Sequence, residues 1–190
     1  MKNSILTLVF LSLAFCGNAQ IELKIRPLGL LFGTYGGTIE YKLSERKSID
    51  FEAYGVKSGF NLFGSKLNTK GFGTNVTYRS YFATSKKRSG GFWGPYALFT
   101  KSDLEGTLVK TPSTTEQVRV KVTNLGVGSL IGYKWGFNNN VTLEILFGLG
   151  VNISHKYEDL FGNTPELFGK NINSTGRFAL GYSFPNENKK

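Results

Sequence analysis

Hydrophobic and polar positions alternate with a period of two along much of this chain. The clearest segment runs from Val141 to Ile153, where every odd position carries a large apolar side chain and the even positions are mostly small or polar. Side chains of a β-strand point alternately to opposite faces, so one face of this segment is entirely apolar. An apolar face of this length predicts a strand that crosses a lipid bilayer.

The same alternation, bounded by turn residues, predicts eight strands. They cover residues 22–32, 36–43, 48–57, 71–82, 91–101, 118–134, 140–154 and 173–184. Short turns at 44–47, 83–90 and 135–139 alternate with long loops at 58–70, 102–117 and 155–172, although the first loop, near 33–35, is short. This order predicts an all-β, antiparallel, up-and-down transmembrane β-barrel with both chain ends on one side. Ten strands are the alternative, if segments 104–110 and 117–123 form an additional hairpin.

Charged residues lie on the row opposite the apolar one. The predicted interior charge network is Lys24, Arg26, Glu40, Lys42, Asp50, Glu52, Arg79, Glu144 and Arg177. An eight-stranded barrel is only wide enough to be filled by side chains, and buried ions persist only when they are paired. We therefore expect a structural plug and not a pore, with the individual ion pairs left open.

Two predicted strands depart from simple alternation. The fifth is aromatic on both faces and contains Pro95, which cannot donate a ladder hydrogen bond. The sixth changes phase near Asn124, which a β-bulge would explain.

The first residues have the segment pattern of a secretory signal peptide. Lys2 precedes an apolar stretch from Ile5 to Phe15, and small residues follow at Gly17 and Ala19. We therefore predict a cleaved signal peptide at residues 1–19 and a barrel domain at 20–190. Lipidation of Cys16 is an alternative, but Phe15 is bulky where a lipoprotein signal needs a small residue.

Composition supports a single exported domain. The sequence has a single cysteine, Cys16, so its removal with the signal peptide would exclude disulfides and thiol chemistry. The chain has 23 basic and 13 acidic residues, a net charge of +10. In an exported protein this excess suggests anionic lipids, polysaccharide or solvated loops, and no nucleic acid partner.

Two segments carry a family resemblance. The terminal RFALGYSF looks like the last-strand signal of bacterial outer-membrane barrels, which the barrel-assembly machinery reads, although here PNENKK follows it. LKIRPLGLLFG and GGTIEYKLSERKSIDFEAYG resemble an uncharacterised family of small outer-membrane proteins common in Bacteroidetes. The resemblance implies an OmpA-like and OmpX-like eight-stranded barrel in the cell outer membrane, and fold alone assigns no activity.

No catalytic, cofactor-binding or metal-binding residues are predicted. Ser154, His155 and Glu158 invite comparison with the Ser/His/Glu set of outer-membrane lipid A deacylases, but adjacent strand residues point to opposite faces. The glycines at 126, 128 and 132 lack the Lys-Ser/Thr of a phosphate-binding loop, so we expect them to relieve crowding inside the barrel.

Lysines are frequent in or beside the predicted long loops, where they could contact lipopolysaccharide phosphates. The candidates are Lys57, Lys66, Lys70, Lys101, Lys110 and Lys170. We expect a non-enzymatic monomer whose partners are outer-membrane lipids and lipopolysaccharide, with a role in envelope integrity, adhesion or surface recognition. The alternatives are a secreted lipocalin-like carrier of a hydrophobic ligand and a lipid A-modifying barrel enzyme. A soluble carrier would keep the apolar row of 141–153 inside, whereas a membrane barrel exposes it.

Overall fold

The computed structural model describes residues 20–62, 65–82, 89–111, 114–137, 140–159 and 171–184. The elements are β1 (Ile21–Ile25), α1 (Pro27–Leu31), β2 (Thr34–Lys42), β3 (Lys47–Leu62), β4 (Ser65–Tyr81), β5 (Gly90–Thr111), β6 (Thr114–Gly136), β7 (Val141–Asp159) and β8 (Ile172–Ser183). Each strand pairs antiparallel with the next, and β1 pairs with β8 to close the barrel. The eight-stranded up-and-down barrel is confirmed. The predicted signal peptide lies outside the described residues.

The barrel has two distinct ends. At the turn end, where β1 begins and β8 ends, the chain connects β2 to β3, β4 to β5 and β6 to β7. At one of these connections Asn140 adopts a φ of 60°, a left-handed conformation that asparagine tolerates better than most residues. We call the opposite end, where β3 joins β4 and β5 joins β6, the hairpin end.

The outward face of the barrel is apolar over a continuous belt. On β7 the odd-numbered row is exposed, and Ile145, Phe147 and Leu149 each keep at least half of their side-chain surface exposed. The even-numbered Thr142, Glu144 and Leu146 are buried. The lipocalin-like alternative is therefore wrong, because a soluble carrier would hide this row and expose the charged one. Among the described residues, no helix has the length and apolarity to cross a membrane.

The first predicted strand, 22–32, is wrong beyond Ile25. Pro27 has no N–H for the β-ladder and instead occupies the first turn of α1, a position that proline favours. The helix is followed by Gly33 at a φ of +71°, where a Cβ would collide with the backbone oxygen of Lys57. As a result β1 pairs with β8 only from Glu22 to Ile25.

The strands at the hairpin end are longer than predicted. β5 has 22 residues and β6 has 23, whereas about 9–11 residues suffice for a tilted strand to cross a bilayer. The predicted loops 58–70 and 102–117 are thus largely strand, and β7 continues to Asp159 inside the predicted loop 155–172. Segments 104–110 and 117–123 do pair, but as continuations of β5 and β6, so the ten-stranded alternative is wrong.

The apparent phase change near Asn124 has a different origin from the one predicted. The register does shift there, because Leu125 pairs with Ser154 and Gly126 pairs with Asn152. The additional residue is Ile153 of β7, however, and β6 keeps its even-numbered side chains inward on both sides of Asn124. What changes on β6 is the chemistry of the faces: its apolar residues lie mostly outward on the turn-end side, with Leu130 inward, and inward at Val120 and Val122 on the hairpin-end side.

Candidate functional site

Two sets of charged residues stand out, one inside the barrel and one on its outer surface. The interior charge cluster comprises Glu22, Lys24, Glu40, Asp50, Glu52, Arg79, Lys134, Glu144 and Arg177, and Arg26 borders it. These residues come from seven strands and share the inward face of the alternation. Each of the nine is at most 4% exposed.

Glu144 lies at the centre of the cluster. One of its oxygens is 2.7 Å from Arg79 Nη1 and 2.5 Å from Lys24 Nζ, and the other is 2.6 Å from Arg177 Nη2. Both guanidinium groups also reach Asp50, at 2.9 Å from Arg79 and 3.0 Å from Arg177. Two arginines thus bridge the same two carboxylates across the barrel, which is the planar, multidentate geometry that guanidinium groups favour.

A second set of contacts extends the cluster toward the turn end. Lys134 Nζ lies 2.9 Å from Glu40 and 3.2 Å from Glu22. Glu22 also accepts hydrogen bonds from Thr142 at 2.6 Å and Ser183 at 2.8 Å. With the Arg26–Glu52 pair at 3.1 Å, the described interior holds five acidic and five basic side chains. The buried charge is balanced, which is the condition for keeping ions out of water.

An apolar layer lies next to the cluster inside the barrel. It comprises Tyr81, Phe92, Tyr96, Leu98, Leu130 and Leu146. Two cationic groups lie over its rings, with the Arg79 guanidinium 4.5 Å from the centre of Phe92 and Lys134 Nζ 5.0 Å from the centre of Tyr81. The charge cluster and this layer are buried together inside the barrel.

Eight of the nine residues predicted for the interior charge network take part in it or border it. The ninth, Lys42, is half-buried at the end of β2. Sequence reasoning missed Glu22 and Lys134. Glu22 is two residues from Lys24, and Lys134 is two residues from Gly132, so each lies on the inward face of its strand. The alternation of faces along the strand was the signal that would have found them. On β6 the apparent phase change concealed it.

The interior glycines provide space for aromatic rings, as predicted. A Cβ on Gly132 would overlap the ring of Phe92, and a Cβ on Gly128 would lie 2.7 Å from the ring of Tyr96. Tyr96 donates a hydrogen bond of 2.5 Å to Asn173 on the far side of the barrel. These glycines are packing positions of a narrow barrel.

The Ser154, His155 and Glu158 side chains do not converge. His155 is half-buried and lies 2.5 Å from Asn124 Oδ1, whereas Ser154 is exposed and is paired with the outward-facing Leu125. Glu158 is opposite Lys121 on the outer surface. Among the described residues, no group of three or more His, Cys, Asp or Glu side chains is arranged to hold a metal ion.

The second charged set lies on the outward face toward the hairpin end. The lysine surface comprises Lys57, Lys70, Lys101, Lys121 and Lys156. Directly paired residues form two rows across the strands. The row nearer the apolar belt runs through Tyr35, Gly55, Phe72, Lys101, Thr123 and Lys156. The next row runs through Lys57, Lys70, Asp103, Lys121 and Glu158.

Positive charge dominates these two rows, which contain five lysines and two carboxylates. Asp103 is already engaged by Arg119, whose Nη2 lies 3.2 Å from it and 2.9 Å from Glu105. The hydrogen bond to Asp103 raises the pKa of the Arg119 guanidinium. The lysine surface is therefore an area of excess positive charge.

The lysine surface is concave and has an aromatic edge. It lines a depression of about 560 Å³ together with Tyr35 and Phe72. The ring of Tyr35 lies across the β3 backbone at Gly55, where a Cβ would be 2.6 Å from the ring. Phe72 contacts Phe99, with ring centres 5.9 Å apart. The glycine thus allows an aromatic ring to lie flat against the edge of the lysine surface.

Comparison with protein families matches residues 4–176 to a family described as a protein of unknown function, DUF3575. The chain belongs to this family. No curated protein matches it with significance.

Solved structures similar to this family member are small β-barrels. CarO of Acinetobacter baumannii is 10% identical with a TM-score of 0.51, over 87% of this chain and 96% of that chain. Neisserial surface protein A is 12% identical with a TM-score of 0.47, over 87% and 94% of the two chains. A major outer membrane protein from Thermus thermophilus is 10% identical with a TM-score of 0.48, over 87% and 98%. At these identities the likeness to CarO supports the fold alone.

Three of the six lysines predicted for lipopolysaccharide contact, Lys57, Lys70 and Lys101, meet in the lysine surface. The backbones of Lys66 and Lys110 belong to β4 and β5, but their side chains, like the whole of Lys170, lie outside the described residues. Sequence reasoning missed Lys121 and Lys156. Lys121, inside the predicted sixth strand, shares its row with Asp103 because β5 continues past its predicted end at residue 101.

Proposed function

We propose that this protein is a non-enzymatic, monomeric component of the bacterial outer membrane. The observation that carries the proposal is the arrangement of its faces: an apolar belt surrounds the barrel and paired ions fill it. Only a closed β-barrel or a helix satisfies its backbone within lipid, and this barrel is closed. Because chain ends and short turns of such barrels face the periplasm, the hairpin end would face the exterior.

The filled interior supports a role without transport. A solute crossing the barrel would have to separate Arg79 and Arg177 from Glu144 and then displace the apolar layer. Leaving buried charges unpaired costs several kcal/mol, roughly 3–5 for one broken pair. We therefore infer that the barrel serves as an anchor, and that its exterior part contributes to envelope integrity.

Surface recognition or adhesion is the second candidate function. The observation that favours it is the extension of β5 and β6 to Thr111 and Thr114, well beyond the length needed for crossing a bilayer. This extended sheet offers a surface to a partner outside the cell.

Two measurements test the proposal. Cell fractionation should recover the protein with the outer membrane, and unheated samples should migrate differently from heated ones on gels, as folded barrels do. Purified protein in planar bilayers should leave conductance at the level of protein-free bilayers. Recovery in a soluble fraction would refute the membrane assignment, whereas discrete conductance steps would refute the plug and leave the membrane assignment intact.

We also propose that the barrel-assembly machinery recognises β8. The outward row of this strand is Phe178, Leu180 and Tyr182, and Phe184 continues it just past the strand end. The ring centres of Tyr182 and Phe184 are 5.2 Å apart. A Tyr182→Ala, Phe184→Ala variant should accumulate less in the outer membrane of cells and still refold in vesicles. Equal accumulation in cells would contradict this proposal.

A further inference from the structure

We propose that the lysine surface binds the phosphorylated headgroup of lipopolysaccharide in the outer leaflet. This inference rests on the proposed function, because it requires the hairpin end to face the exterior. It extends that function by assigning the outward face just above the apolar belt a specific lipid partner.

The position of the lysine surface is the first argument. Three successive rows of paired residues lead to it from the apolar belt, at about 7 Å per row. The first is Ile39, Phe51, Val76, Ala97, Val127 and Val151, and the second is Gly37, Ala53, Thr74, Phe99, Leu125 and Ser154. The third contains Lys101 and Lys156. Positive charge thus begins along each of these strands within a few residues of the apolar belt, where we expect lipid headgroups.

The second argument is that these lysine side chains lie on the outward face of the barrel. Lys57, Lys70 and Lys101 are each separated by an even number of residues from an exposed aromatic residue of the same strand, namely Phe51, Phe72 and Trp93. They therefore face the surrounding lipid and not the lumen. A soluble anion passing through the barrel would not meet them, whereas a lipid packed against the wall would.

Charge complementarity is the third argument. Lipopolysaccharide carries phosphates directly above its acyl chains, and lysine ammonium groups bind phosphate as compact positive charges. The five lysines outnumber the two carboxylates in their rows. One of these carboxylates, Asp103, also forms an ion pair with Arg119, so it neutralises less of the lysine charge. Lys57 and Lys70 are directly paired across β3 and β4, so their repulsion is relieved by a bound anion.

The aromatic edge fits the same occupant. Tyr35 of β2 and Phe72 of β4 occupy the same row as Lys101. Aromatic rings favour the boundary between acyl chains and headgroups. A lipid seated here would place its phosphates on the lysines and the upper part of its acyl chains against these rings and the apolar belt.

The test compares two double variants that each remove two positive charges. Lys101→Gln with Lys156→Gln changes the lysine surface, and Arg46→Gln with Lys47→Gln changes exposed residues at the turn end. Each folded protein is reconstituted in vesicles, and its binding to lipopolysaccharide is titrated. A second titration uses the same lipid after enzymatic removal of its phosphates.

We expect the Lys101→Gln, Lys156→Gln variant to bind lipopolysaccharide at least tenfold more weakly than the unmodified protein. Each lysine near an anionic lipid surface strengthens binding to that surface, and this variant lacks two of them. The Arg46→Gln, Lys47→Gln variant should bind within twofold of it, and removal of the lipid phosphates should abolish the difference between the variants. Equal losses in the two variants, or undiminished binding of the dephosphorylated lipid, would overturn the inference. Either result would leave outer-membrane recovery and gel mobility unaffected, so a failure of the proposed function remains distinguishable.

Discussion

On the turn-end side of Asn124, β6 directs Leu125, Val127 and Ile131 outward and Lys134 inward, whereas on the hairpin-end side Val120 and Val122 are buried and Lys121 faces outward. The backbone alternation is the same in both regions. We attribute the difference to the medium outside the wall, which is hydrocarbon in one region and lipid headgroups or water in the other. The comparison shows that the position of the apolar residues does not identify the outward face of a strand once that strand leaves the bilayer.

The largest effect should follow from removing the central acid of the interior charge cluster. Glu144→Gln leaves Arg79, Arg177 and Lys24 without their shared carboxylate, and we expect a loss of about 3–5 kcal/mol in the free energy of unfolding. Urea titration in vesicles, followed by the shift in gel mobility, measures it. Glu45→Gln, at an exposed turn position, should change it by less than about 0.5 kcal/mol. Similar values for the two variants would show that the cluster does not stabilise the barrel.

A charge placed on the outward face should distinguish the two regions directly. Phe147→Arg faces lipid near the middle of the apolar belt and should cost about 2–4 kcal/mol. Thr123→Arg faces outward on the hairpin-end side and should cost less than about 1 kcal/mol, since its surroundings are aqueous or at the headgroup level. The same urea titration applies. A larger penalty at position 123 than at position 147 would reverse our assignment of lipid and water.

A smaller effect should come from filling the space that glycine leaves inside. In Gly132→Ala the added methyl group overlaps the Phe92 ring and lies 2.7 Å from the Ile145 carbonyl oxygen, and we expect a cost of about 1–3 kcal/mol. Gly176→Ala is the matched control, because its Cβ meets no atom closer than 4.0 Å. Its stability should remain within about 0.5 kcal/mol of the unmodified chain. Equal stability of both variants would mean that the interior is loosely packed.

Much of the fold was predictable because lipid imposes strict alternation on the residues that contact it. Val141 to Ile153 could be assigned without any knowledge of its neighbours. The same logic failed at Pro27, where a local backbone constraint ended β1. It also failed beyond Lys57 and Lys101, where the strands continue without the apolar row that marks a strand in hydrocarbon.

The candidate sites were predictable only in part, because they depend on register. Parity indicates that Arg79 and Glu144 face inward, but their contact joins strands that are not neighbours in the sheet. The lysine surface needs the pairing of Lys70 with Asp103 and of Asp103 with Lys121, which alternation within one strand does not contain. The bulge at Ile153 likewise becomes visible only when β6 and β7 are aligned.

A cysteine scan along β6 tests the reversal of faces most directly. Single cysteines at positions 121–134, in a chain whose Cys16 is replaced by serine, are spin-labelled in vesicles and their contact with lipid-dissolved oxygen and with a water-soluble paramagnet is measured. We predict that the odd positions 125–133 report hydrocarbon, that 121 and 123 report water, and that even positions are shielded from both. Hydrocarbon contact at the even positions 126–134, or at positions 121 and 123, would contradict the account.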